Sequence, residues 1–245
     1  MTAADTYETY ADRTDEPRFS DWLRERSEPA FSEAVEHPFT VDLGAGTLDT
    51  DAFAEYLLQD YAFLESLVGG FGFAVGEAPG IGSKRPLIEF LDVVTDEESD
   101  YFERSFEALG VPADRYTAPE RTGTTDAFVD LLERAAREGG YAETLAVLVP
   151  AEWIYESWAA AAAERHADPA TDPPSDGAGL PFYYAEWIDL HATDSFRAFV
   201  GWLRGQLDSV GPELSADRRG RVEHLFGRAV ELEVAFFDTH YPGGA

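Results

Sequence analysis

Apolar residues recur at helical spacing along most of this chain, and no segment alternates with the period of two that a half-buried strand requires. Residues 51–71 give the strongest pattern: Phe53, Leu57, Leu64, Leu67 and Phe71 fall on one face, with Asp49 or Thr50 placed to cap the helix. Upstream, Phe19, Trp22 and Leu23 begin a short amphipathic helix that restarts at Pro29 and ends at His37-Pro38. Gly44 to Thr47 reads as a turn and 76–82 as a Gly/Pro break. Thr95-Asp-Glu-Glu98 reads as a capping box opening a helix that stops at Gly110. Phe128, Leu131 and Leu132 mark another helix, closed by Gly139-Gly140. Residues 141–165 form a long apolar helix that Pro150 should kink. A Pro/Asp/Gly-rich loop over 167–181 follows, then one helix over 183–207 and a last one over 212–237. The pattern predicts an all-α domain over 18–245 with roughly eight or more helices, preceded by a disordered acidic extension at 1–17.

Three acids break these stripes. Asp60 sits between Leu57 and Leu64, and Glu152 lies within the stripe of Leu145, Leu148, Val149 and Tyr155. Glu233 lies within that of Phe226, Ala229, Val230, Phe236 and Phe237. A carboxylate on a buried helix face is costly unless it is paired or hydrogen-bonded, and a single one usually caps or bridges. Three on three helices point instead to a polar pocket in a bundle core. Burial and mutual repulsion would raise their pKa values, suiting them to general acid/base work. Phe63, Trp153, Tyr155, Tyr184 and Trp187 are candidate walls for a planar ring, although aromatics at this spacing more often fill a core.

Composition narrows the partners. Eighteen basic against 48 acidic residues give a net charge of −30, which argues against nucleic acid and anionic membranes. Lys84 is the sole lysine, and such an excess of carboxylate fits a protein adapted to molar salt, where screening removes most self-repulsion. The absence of cysteine excludes thiolate chemistry and disulfides. No signal-like run and no apolar stretch of about 18 residues occurs, so a cytoplasmic location is expected. None of the five histidines follows an acid by three residues, the spacing a di-metal carboxylate bundle uses. There is no Gly-x-Ser-x-Gly word, phosphate loop or dinucleotide fingerprint, and no cofactor is expected.

With these residues in view, the chain resembles the TenA / thiaminase II family. The matching words are His37-Pro38-Phe39, Gly46-Thr47-Leu48, the helix carrying Phe53, Gln59, Asp60 and Leu64, Pro150-Ala-Glu-Trp-Ile-Tyr155, Tyr184-Ala-Glu-Trp-Ile188, and Glu233-x-x-Phe-Phe. They occur in family order over about residues 18–241. The resemblance implies a haem-oxygenase-like bundle, a homotetramer or homodimer, and hydrolysis of aminopyrimidine fragments of thiamine. It implies that Asp60 binds the exocyclic amino group, that Glu233 protonates a ring nitrogen, and that Tyr155 and Tyr184 orient the ring and polarise the reacting centre. Where the better-known branch has its cysteine nucleophile, this chain has Ala151, followed by Glu152. Two tyrosines of that branch's pocket appear as Phe63 and Phe128. The chain therefore looks like the cysteine-free branch, acting on aminopyrimidine or formyl-aminopyrimidine, with Glu152 or Glu233 activating water. A non-catalytic pyrimidine-binding or regulatory protein is the alternative, as is a haem-oxygenase-like enzyme with another substrate.

Overall fold

The computed structural model describes residues 6–167 and 179–241, and its described residues contain helices and no strand. In chain order the α-helices are α1 (Tyr7–Arg13), α2 (Phe19–Arg26), α3 (Ala30–Val35), α4 (Pro38–Ala45), α5 (Thr50–Glu77), α6 (Ile81–Val93), α7 (Ser99–Ala108), α8 (Ala113–Thr117), α9 (Gly123–Arg134), α10 (Tyr141–Ala167), α11 (Phe182–Ala192), α12 (Asp194–Val210) and α13 (Ala216–His240).

Helix α10 is the centre of the bundle. Leu145 to Val149 are all within 1% of full burial, so this stretch is apolar on every side and packs against α11, α12 and α13. Helix α5 lies across it, capped by Asp49, which accepts from the amides of Asp51 and Ala52. His37 is a second cap: its Nδ1 accepts from the Phe39 amide and opens α4, with Pro38 in the first turn. Phe39 then stacks on Phe237 and tilts against Tyr56, joining α4, α5 and α13. Gly46 ends α4 in the left-handed region at φ 71°, and a Cβ there would meet Leu180 at 2.5 Å. Two of the sequence words thus serve packing and capping.

The structure departs from the sequence reading at several points, among them α4, a helix over Pro38–Ala45 where the pattern gave a helix end and a turn. Within the expected disordered extension, residues 7–13 are helical, because Tyr7 lies edge-on to Phe19 and Trp22 and Tyr10 is buried beside it. The Thr95 hydroxyl donates back to the Leu91 carbonyl inside a π-helical turn, Val94–Glu98, that joins α6 to α7, so no new helix start separates the two. The helix expected over 183–207 is two helices, parted at Thr193, whose side chain accepts from the Phe196 amide and starts α12. The long helix expected over 141–165 is α10, with Pro150 inside it. The loop expected over 167–181 falls largely outside the described residues.

Candidate active site

A cavity opens where α5, α9, α10, α11 and α13 converge. It offers about 90 Å³ to the centres of water-sized spheres, where roughly 10–15 Å³ holds one water. Asp60, Glu152 and Glu233 all line it, together with Tyr155, Phe63 and Phe128. Six of the seven residues singled out from sequence therefore share one space.

The seventh, Tyr184, does not. It is buried, and its hydroxyl donates to the Leu48 carbonyl at 2.8 Å, tying α11 to the turn before α5. It is not among the residues that line the cavity, unlike the other six. Two candidate wall residues also lie elsewhere. Trp153 packs on Phe31 under the Arg204 guanidinium, and Trp187 stacks on Tyr101 in the core.

Local structure explains the convergence. Glu152 and Tyr155 are three residues apart and share one face of α10. Gln59 clamps α9 onto α5: its amide donates to the Glu120 carbonyl at 2.8 Å, and its oxygen accepts from the Thr122 amide at 2.8 Å and the Thr125 hydroxyl at 2.7 Å. That clamp brings Phe128 against Phe63, with ring centroids 4.9 Å apart. The break at Thr193 puts His191, at the end of α11, and Phe196, at the start of α12, on the same cavity wall. Ala151 also lines the cavity, so the position beside Glu152 faces the site.

The electrostatics are those of acids without cations. Among the described residues, neither arginine nor lysine lines the cavity. Glu152 and Glu233 are 7% and 3% exposed, and no described side chain hydrogen-bonds to either. Burial, reinforced by the Asp60 charge, pushes Glu152 up to about 8. Burial and the charges of Asp60 and Glu152 push Glu233 well above the ordinary carboxylate range. Burial raises Asp60 to about 7, against the opposing pull of its bond from Tyr155. Glu143 shows what cations do: burial is the largest influence and pushes it up, but hydrogen bonds from Arg218 and from a backbone amide, together with the charges of Arg218 and Arg221, outweigh this and leave it below its usual value.

A directional chain of donors ends on Asp60. The indole Nε1 of Trp187 can only donate, and it does so to the Tyr56 hydroxyl at 3.3 Å. The Tyr56 and Tyr155 oxygens are 2.7 Å apart, and the Tyr155 hydroxyl donates to Asp60 Oδ1 at 3.1 Å. Each hydroxyl has one proton, so Tyr56 must donate to Tyr155. Sequence reasoning missed Tyr56 and His191. Tyr56 sits four residues before Asp60, one helical turn away, and that spacing was the available signal; His191 had none.

A helical bundle with an acid-lined apolar cavity at its centre is the class of protein that this fold and site define. The model of the TENA/THI-4/PQQC family matches residues 24–242, and the chain belongs to that family. Among its relatives, an aminopyrimidine aminohydrolase of Halalkalibacterium halodurans is 26% identical over 223 residues, covering 91% of this chain and 95% of that protein. A protein of the same name from Bacillus subtilis is 23% identical, covering 91% and 90%. The solved TenA homologue of P. horikoshii superposes with a TM-score of 0.77 at 24% identity, covering 93% of this chain and all of that one. The fold is the all-α, haem-oxygenase-like bundle of those neighbours.

Proposed function

We propose that the protein is a thiamine-salvage hydrolase acting on an aminopyrimidine or formyl-aminopyrimidine. The observation that carries this is the set of three acids, each from a different helix, facing one apolar cavity that no described cation lines, with two of them lacking a hydrogen-bond partner among the described residues. A buried carboxyl without a partner is a vacancy for a ligand's hydrogen bonds. The names of the aminohydrolase relatives support the same substrate class.

Asp60, last in the donor chain and the most readily ionised of the three, accepts from the exocyclic amine. Glu233, held protonated, hydrogen-bonds to a ring nitrogen and lends that nitrogen its proton during the reaction, taking it back when the ring is restored; a charged acid beside a neutral one matches the donor-acceptor edge of an aminopyrimidine. Phe63 and Phe128 cover the ring. Glu152, poised near neutrality, takes a proton from water and returns one to the leaving nitrogen. The water oxygen ends on carbon and the nitrogen departs as ammonia. For a formyl substrate the amide C–N bond breaks and formate leaves. Tyr155 polarises the site through Asp60, and Tyr184 acts from outside by holding α11. The reading calls for no metal or organic cofactor.

It also places the enzyme in the cytoplasm, as a homotetramer or homodimer working in molar salt. No helix of the described residues is long and apolar enough to cross a membrane. The test is product analysis: wild-type protein in molar KCl is given each substrate, and ammonia and formate are measured. Release of either supports the hydrolase; release of neither by folded protein contradicts it.

A further inference from the structure

Leu64 on α5 and Val94, just past α6, line the catalytic cavity, and the same two residues line a second hollow. That hollow is an outer groove between α5 and the 116–121 segment. It offers about 1080 Å³ by the measure that gives the cavity about 90 Å³. Two apolar side chains therefore stand between the three acids and a far larger space. The groove's own walls are fixed. Tyr116 stacks on Phe106 with centroids 4.9 Å apart, and Tyr61 meets Phe106 edge-on at 5.7 Å. Arg121 is paired with Asp126 at 2.8 Å, so the exposed carboxylates of Glu65 and Glu120 set the groove's charge.

The partition is the softer part of the cavity wall. Val94 is 2% exposed, yet it begins the π turn Val94–Glu98, a rare winding found mostly at functional sites. Thr95 beside it donates its hydroxyl to the carbonyls of Leu91 and Asp92 at 2.7 and 3.3 Å, and back-bonding of this kind loosens and bends a helix. Leu64 is half-buried. The neighbouring wall at Phe90 is held by stacking, with Phe199 at 4.1 Å and Phe71 at 4.7 Å. Opening the cavity costs least where such packing is absent.

We propose that Leu64 and Val94 form a gate, and that the outer groove is the route by which the aminopyrimidine enters and its product leaves. This rests on the pyrimidine reading above. Tyr61 and Tyr116 give the ring an aromatic surface outside the gate. Glu65 and Glu120 favour its protonated, cationic form and turn anions away. Displacement of Leu64 and the π turn then admits the ring to the acids. A gate governs rates and not affinity, because an obstacle outside the bound position raises the barriers to entry and exit equally.

The chain has no cysteine, so Glu65→Cys/Thr117→Cys carries thiols only in the groove, at two exposed positions. Both are capped with adamantyl maleimide, a bulky cage. The ligand is a 4-aminopyrimidine with a hydroxymethyl arm, which lacks the amine or formamide to be hydrolysed. Its Kd is measured by calorimetry and its dissociation rate by NMR exchange broadening, in molar KCl at pH 7. The cages are expected to slow association and dissociation alike, by about tenfold, with Kd kept within about twofold. Exchange as fast as in the uncapped variant overturns the gate and leaves the hydrolase reading standing, as does a weakened Kd without slower dissociation. Failure of folded wild type to bind the ring overturns both. Leu64→Ala, without cages, is expected to raise the association rate about tenfold. Faster dissociation with association unchanged marks Leu64 as a binding contact and overturns its role as a gate. Should that variant not fold, the capped pair decides.

Discussion

Tyr155 on α10 donates its hydroxyl hydrogen bond to Asp60 on α5 across 3.1 Å, and this bond sets Asp60 apart from the two glutamates of the same cavity. All three acids lose solvation, but Asp60 alone has a protein donor that favours its charged form. The site thus holds one acid that ionises first and two that keep their protons longer.

Removing that donor should raise Asp60. In Tyr155→Phe the carboxyl is expected to titrate above its starting position of about 7, because burial remains and the opposing bond is gone. A carbon-detected NMR titration of the aspartate carboxyl checks this. Tyr56→Phe should have a smaller effect in the same direction, since it acts through Tyr155. A midpoint unchanged in Tyr155→Phe contradicts the role given to the bond.

Stability should fall as pH rises through the site's titration. Glu152 goes from 4.5 to about 8 and Asp60 from 3.8 to about 7 on folding. The folded state therefore holds protons that the unfolded state has lost, and stability declines with rising pH between about 4 and 8. Urea unfolding of wild type and Glu152→Gln, at pH 5 and pH 8 in molar KCl, isolates the contribution of Glu152 from that of the acidic surface. The glutamine variant is expected to lose distinctly less stability between the two pH values, by an amount on the order of a few kcal/mol. Parallel losses in the two proteins contradict the burial argument.

Gln59 should matter for stability and, through α9, for the site. Gln59→Leu leaves the Thr122 amide and the Thr125 hydroxyl without their acceptor. A loss of about 1–3 kcal/mol is expected from chemical unfolding, together with weaker pyrimidine binding as Phe128 loses its register on Phe63.

Much of this was legible in the sequence, because a carboxylate inside an apolar helical stripe is visible from spacing alone. Asp60, Glu152 and Glu233 reach one cavity because each lies on the inward face of a helix that crosses the bundle. Spacing does not encode the direction of a side chain at a helix start. Tyr184 lies in the first turn of α11, and its hydroxyl is taken by the Leu48 carbonyl. The break between α11 and α12 was hidden because Thr193 lies in a run whose apolar period continues past it. Only the cap bond to the Phe196 amide reveals it, and with it the place of His191. Residues 7–13 were read as disordered from their acidity, yet Tyr7 and Tyr10 supply enough aromatic surface to dock a short helix.

Ala151→Cys tests the cavity's field without removing any group. The residue is 8% exposed and lines the cavity beside Glu152. A thiolate there would face buried acids and lose solvation, so its formation is disfavoured. Iodoacetamide is expected to alkylate this thiol at least about tenfold more slowly at pH 8 than it does a free cysteine thiol, whose pKa is near 8.5. Alkylation as fast as the free thiol contradicts the electrostatic picture of the site.

The most direct measurement is turnover by wild type and Glu233→Gln side by side, over pH 6 to 9 in molar KCl, with ammonia or formate as the readout. Glutamine keeps the shape and neutrality of the protonated acid and cannot give up a proton, so the variant should fold as well as wild type. The account predicts that its turnover falls by about a hundredfold or more. A folded Glu233→Gln protein that releases product at the wild-type rate contradicts it, because proton transfer from Glu233 would then have no part in the reaction.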